Sequence, residues 1–134
     1  MVILVLMILL MIVGLVSYHK VKPARLLTAP NLAMRLDFAK IINHQGHKLY
    51  IEQVSFADYQ AAIHGYFVLT NALEGRGVLR DSRYDFFDFY SVVLCFDDST
   101  LRLLRLVDKV RVVKSDKPIN IDEFERLIAG VMYD

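Results

Sequence analysis

Cysteine occurs once in this 134-residue chain, at Cys95. A single thiol excludes an intrachain disulfide framework and a thiolate-rich zinc site, and it fits a reducing compartment. Cys95 stands inside an apolar run, so its expected role is core packing rather than nucleophilic chemistry. Charge is missing from one end: no charged side chain precedes Lys20. Other signatures are missing as well. The two glycines of Glu74-Gly75-Arg76-Gly77 mark a loop, but no G-K-[ST] follows, so it is not a phosphate cradle. There is no G-x-S-x-G elbow, and no Ser or Cys has a base at a serviceable spacing. No internal repeat, low-complexity stretch or long charge run is present. With 16 basic and 15 acidic residues the net charge is +1, which argues against a dedicated nucleic-acid surface.

What is present begins with Met1 to Tyr18, MVILVLMILLMIVGLVSY. As a helix this run would be about 27 Å long, close to the roughly 30 Å of a bilayer core. It lacks the basic n-region and small-x-small exit of a cleaved signal, so a retained transmembrane helix over 1–18 is expected. Gly14 is its only glycine, which removes a G-x-x-x-G dimerisation face, and no polar residue precedes Ser17. Lys20, Lys22 and Arg25 follow directly, and positive residues favour the cytoplasmic side. The expectation is a single-pass protein with its N-terminus outside and its C-terminal domain in the cytoplasm. Tyr18, His19, Lys20, Lys22 and Arg25 would then lie at the membrane interface, in contact with lipid. Residues 19–30, with Pro23 and Pro30, read as a juxtamembrane linker.

Residues 31–134 are enough for one domain. Leu32, Leu36, Ala39 and Ile42 recur at helical spacing, with Gly46 placed to close a helix over 31–45. Lys48 to Phe56 alternates with period two, as a strand does. Gly65 to Thr70 groups Tyr, Phe, Val and Thr, which favours a strand, although a helix through Ala61–Ile63 competes. Phe86 to Phe96 is almost continuously apolar and reads as a strand buried on both faces. Asp97–Thr100 is a turn, and Leu101 to Val107 returns as a hairpin partner, with an amphipathic helix as the alternative. Asn120 with Glu123 forms a capping-box-like start to a final helix striped by Ile121, Phe124, Leu127, Ile128 and Val131. The expected fold class is therefore α/β (α+β): about four strands flanked by N- and C-terminal helices, preceded by one transmembrane helix.

Candidate site residues are few. His19, His44, His47 and His64 have no zinc-ligand spacing, so no metal and no cofactor are expected from them. The stretch DSRYDFFDFY (residues 81 to 90) is more informative. Asp88 within an otherwise apolar strand needs a partner, either a cation ligated together with Asp85 or an arginine such as Arg80, Arg83 or Arg102. Phe86, Phe87, Phe89 and Tyr90 form an aromatic cluster without interleaved basic residues, which suits a packed core or a protein-docking surface better than base stacking.

The segment INHQGHKLYIEQV (42 to 54) resembles the helix-Gly-strand opening of Mrr-type restriction-endonuclease-like domains. The hairpin around Asp88 and KPINIDEFERLIAGV (117 to 131) resemble the rest of that core. The resemblance implies an Asp on one strand and a Glu/Gln-x-Lys on the next, together holding Mg²⁺ for phosphodiester hydrolysis. Asp88 matches the first position. At the second the chain has Leu103-Leu104-Arg105-Leu106-Val107, with Asp108 and Lys109 adjacent, so the metal site would be degenerate. Two functions follow as expectations. The leading one is an accessory domain that binds another membrane or cytoplasmic protein through Phe86, Phe87, Phe89 and Tyr90. The alternative is a membrane-tethered, inactive relative of nucleases that binds nucleic acid, with Asp88 as the only catalytic candidate and Mg²⁺ its cofactor.

Overall fold

The computed structural model describes residues 3, 5, 25–85 and 90–132. Along the chain come β1 (Arg35–His44), β2 (His47–Ser55), α1 (Tyr59–Glu74), β3 (Leu79–Asp85), β4 (Ser91–Phe96), β5 (Thr100–Leu106), β6 (Lys109–Ser115) and α2 (Ile121–Ile128). All strand pairs are antiparallel, in the order β1-β2-β6-β5-β4-β3.

Successive side chains on a strand point to opposite faces, and here both faces are covered. On one face Tyr50, Val54, Val92, Leu94, Leu103, Val110 and Val112 pack under Ala62, Tyr66, Leu69 and Leu73 of α1. On the other, Leu49, Ile51, Val93, Leu104 and Val113 pack against Phe124, Leu127 and Ile128 of α2. Apolar residues of the central strands fill both cores, and polar residues buried among them, such as Glu52, Gln53 and Arg111, are hydrogen-bonded. Each fully buried Leu or Val contributes roughly 1.5–3 kcal/mol relative to exposure. Both helices start on side-chain caps. The Asp58 carboxylate accepts from the Ala61 amide at 2.8 Å, and the Asn120 side-chain oxygen accepts from the Glu123 amide at 2.9 Å. Gly65 lies buried in α1 directly against the Phe56 ring.

This architecture corrects the expected one. There are six strands rather than about four, and the segment expected to open the domain as a helix is β1. Residues 31–45 do not form a helix: 35–44 are β1, and Gln45-Gly46, both with positive φ (49° and 80°), make the two-residue turn into β2. Residues 65–70 are part of α1, not a strand. The segments 79–85 and 109–115 are strands that were not foreseen, whereas 91–96, 100–106, 47–55 and the capped final helix fall where expected. Of the expected strand 86–96, residues 86–89 lie outside the described residues.

The expected single-pass membrane protein with a cytoplasmic domain is corrected too. Among the described residues, no helix is long and apolar enough to cross a membrane. The run 1–18, apart from Ile3 and Val5, and the interface candidates Tyr18, His19, Lys20 and Lys22 lie outside the described residues. Arg25 is described, and its guanidinium pairs with Glu52 at 3.0 Å.

Candidate functional site

Side chains from five elements meet over the α1 face at one end of the sheet. Tyr50 of β2 is the register partner of Lys114 of β6, and Lys114 is the partner of Leu101 of β5. This row forms the floor of a cleft of about 410 Å³. Leu73, Arg76 and Gly77, at and just beyond the end of α1, make one wall, Phe96, Asp98 and Ser99 another, and Leu26 a third. Leu26, Tyr50, Leu73, Phe96 and Leu101 are all buried, so the lining is apolar at depth and polar at the mouth. Two cations line the cleft, the exposed Arg76 and the half-buried Lys114. Neither forms an ion pair among the described residues, and the Arg76 guanidinium donates to the Arg25 carbonyl at 3.4 Å. Asp98, the one acid in the lining, accepts from the Ser99 hydroxyl at 3.0 Å.

The wall carrying Leu26 is fixed from behind by Glu52. This carboxylate is fully buried and accepts from the Leu26 and Leu27 amides, each at 2.9 Å, and from the Tyr50 hydroxyl. Arg25 completes its partners at 3.0 Å. Burial, reinforced by the neighbouring Glu52 carboxylate, pushes the Tyr50 phenol above its ordinary value, so the ring stays a neutral donor. Glu52 thus ties the chain entering the sheet to its centre and holds one side of the cleft.

The opposite face carries a second polar network. A bulge between Leu36 and Phe38 sets Asp37 beside Ser55 and Lys109. Asp37 accepts from the Ser55 hydroxyl at 2.6 Å, the Gln53 amide at 2.8 Å and the Lys109 ammonium at 3.2 Å. Gln53 in turn accepts two Arg111 hydrogen bonds, at 2.9 and 2.7 Å, and Arg111 donates to the Met132 carbonyl at 2.9 Å. Lys109 also donates to Ser55 at 2.8 Å. Ser–Lys contacts can activate a hydroxyl, but here the lysine faces a carboxylate and the hydroxyl proton points at that same carboxylate, which makes a structural tie.

The tie titrates. Burial alone would raise the Asp37 carboxyl; hydrogen bonds from Ser55, Gln53 and Lys109, with the Lys109 charge, outweigh it and hold the group at about 2 against an ordinary 3.8. A depressed folded-state value means the stabilisation is complete above pH 3.8 and is lost as pH falls through about 2. The interval corresponds to about 2 kcal/mol. Between pH 5 and pH 2, urea unfolding of the unaltered chain is expected to lose about 2 kcal/mol more than that of Asp37→Asn. Equal losses in the two chains would show that Asp37 carries no such linkage.

The sequence candidates fall elsewhere. Asp88, Phe86, Phe87 and Phe89 lie outside the described residues. Tyr90 does not join the cleft: its ring packs on Tyr66 and Phe67 of α1, with centroids 5.9 and 5.6 Å away, and on the Arg105 guanidinium. Asp85 ends β3 beside Arg83 and Arg102 on the α2 side. His44 and His47 face each other across the β1–β2 turn, while His64 is exposed on α1. Among the described residues no group of three or more His, Cys, Asp and Glu side chains could hold a metal ion. Sequence reasoning missed Tyr50, Lys114 and Phe96 as a set, because only the sheet brings them together. Arg76, between two glycines, was the one local signal. No protein-family model, curated protein or solved structure matches this chain.

Proposed function

We propose that this chain is a protein-interaction domain that accepts an acidic, apolar-flanked segment of a partner protein in the cleft floored by Tyr50, Lys114 and Leu101. One observation carries the reading: Arg76 and Lys114 line an apolar cleft of about 410 Å³ and form no ion pair among the described residues. That volume lies in the range that buries most of a small ligand or an anchoring side chain. A carboxylate between the two cations would gain charge-assisted hydrogen bonds of roughly 1.5–3 kcal/mol each. An adjacent apolar side chain would occupy the floor and supply the anchor that most interfaces depend on. The cleft is backed by rigid strands and by the Glu52 tie, so little ordering is required on binding.

Selection of a displayed random-peptide library on the full chain tests this reading. The expected winners place Asp or Glu beside Leu, Ile or Phe. Arg76→Ala and Lys114→Ala are each expected to weaken these peptides at least about tenfold, equivalent to 1.4 kcal/mol. Arg126→Ala, on the exposed side of α2, is expected to leave binding unchanged. Winners without acids, or binding indifferent to both cleft substitutions, would rule the reading out.

A further inference from the structure

Among the described residues the sheet ends on two edge strands, β1 and β3, and the chain treats them differently. β3 is defended. It carries Arg80, Asp81, Arg83 and Asp85, is bulged between Leu79 and Asp81, and is clamped on both sides. The Tyr84 hydroxyl donates to Glu74 of α1, and Arg83 pairs with Asp122 and Glu125 of α2 at 2.9 and 3.1 Å. Edges protected in this way do not pair with other strands. β1 is ten residues long, and beyond its bulge the run from Phe38 to Asn43 holds one charge, Lys40. Ile41 in the middle of that run is 44% exposed. Among the described residues nothing pairs with this edge.

The turn determines which backbone groups are available. A two-residue turn closes on a hydrogen-bonded pair, here His44 and His47. Alternation then turns the N–H and C=O of Ile42, Lys40 and Phe38 toward β2, and those of Asn43, Ile41 and Ala39 toward the open edge. We infer that β1 is a self-pairing surface: two copies of this chain join antiparallel through β1, with Ile41 opposite Ile41 on a two-fold axis.

Charge and hydrogen bonding select that register. With Ile41 on the axis, Ala39 meets Asn43 of the second copy, and all three outward-facing pairs are closely spaced, giving about six N–H···O bonds. Lys40 then faces Ile42 and Phe38 faces His44, with no like charges opposed. Centring the axis on Lys40 would oppose two ammonium groups. Centring it on Ala39 would run the pairing into the bulge at Asp37, and centring it on Ile42 would leave fewer outward-facing pairs in register. The exposed Ile41 side chains meet on the α1 side of the sheet, which removes the apolar group that the isolated edge presents to water. The two copies would share one twelve-stranded sheet.

Disulfide trapping in the full chain tests both the partner and the register, in a Cys95→Ser background so that no other thiol competes. Across the axis, Ile41 positions lie about 5.5 Å apart at Cα, within disulfide range, whereas Lys40 positions are diagonal at roughly 7–8 Å. Ile41→Cys is expected to run at double mass on a non-reducing gel, and Lys40→Cys at single mass. Ala39→Pro removes one outward N–H without touching the β1–β2 ladder, and is expected to convert the parent chain to a monomer in sedimentation. Equal trapping at 40 and 41, no trapping at 41, or a mass unchanged by Ala39→Pro would overturn the inference. Cover of the edge by this chain's own first residues would appear as no trapping at 41.

Discussion

Glu52→Ala is expected to lower the stability of the chain by about 3 kcal/mol in urea unfolding and to release the segment Arg25–Leu27. The substitution strips acceptors from two backbone amides and a tyrosine hydroxyl, and leaves Arg25 without its carboxylate. A buried donor left unmatched costs roughly 1–3 kcal/mol, but the freed segment can reach water, which keeps the total below the sum. The variant should also show faster tryptic cleavage after Arg25. Glu52→Gln keeps the shape and one acceptor while turning an amide N–H₂ against a donor, so it is expected to cost about half as much. A change under about 1 kcal/mol in Glu52→Ala, with unaltered cleavage, would show that the carboxylate does not hold the entering chain.

Gly65→Ala is expected to destabilise by about 2 kcal/mol, although alanine is the better helix former. A Cβ at position 65 would stand 2.3 Å from two atoms of the Phe56 ring, and that ring is itself buried. Helix propensity favours the substitution by about 1 kcal/mol, whereas forcing extra volume into a packed core costs up to about 3 kcal/mol. Gly75→Ala provides the contrast. Gly75 has an ordinary φ of −83°, and its Cβ would meet nothing closer than 3.8 Å, so that variant should be neutral or gain a few tenths of a kcal/mol. Equal melting temperatures for the two variants would show that the α1–Phe56 contact is not tight.

Legibility followed from how cleanly each segment displays its period. The final helix was readable because Asn120 caps it locally and α2 buries a single stripe. β2 was readable through its alternation. β1 was not, and the bulge accounts for part of this: it puts Leu36 and Phe38 on opposite faces and Leu36 and Ala39 on one, which breaks the two-residue alternation. The strand-like Tyr66-Phe67-Val68-Leu69-Thr70 folds as helix because Asp58 caps it and its face is buried on the sheet, packing that overrides local preference. β6 escaped notice because its turn, Val107-Asp108, carries no glycine, proline or asparagine: Val107 holds a φ of 56°, a left-handed conformation disfavoured for a β-branched residue, and Arg105 donates to its carbonyl at 2.8 Å. The cleft was the least legible part. Its residues run from Leu26 to Lys114, and no local pattern announces that they share a wall.

The strand order has a consequence for how the chain is made. β2 sits between β1 and β6, so the hairpin completed by Ser55 has no lasting neighbour until Lys109–Ser115 has been synthesised. Translation therefore delivers an unpaired hairpin early and its partner near the end. Closing that long loop carries an entropic cost before any contact repays it, which makes the β2–β6 seam a late and slow event in folding. Until it closes, Leu49, Ile51 and Val54 are open to other chains, and the newborn protein is at its most vulnerable to aggregation.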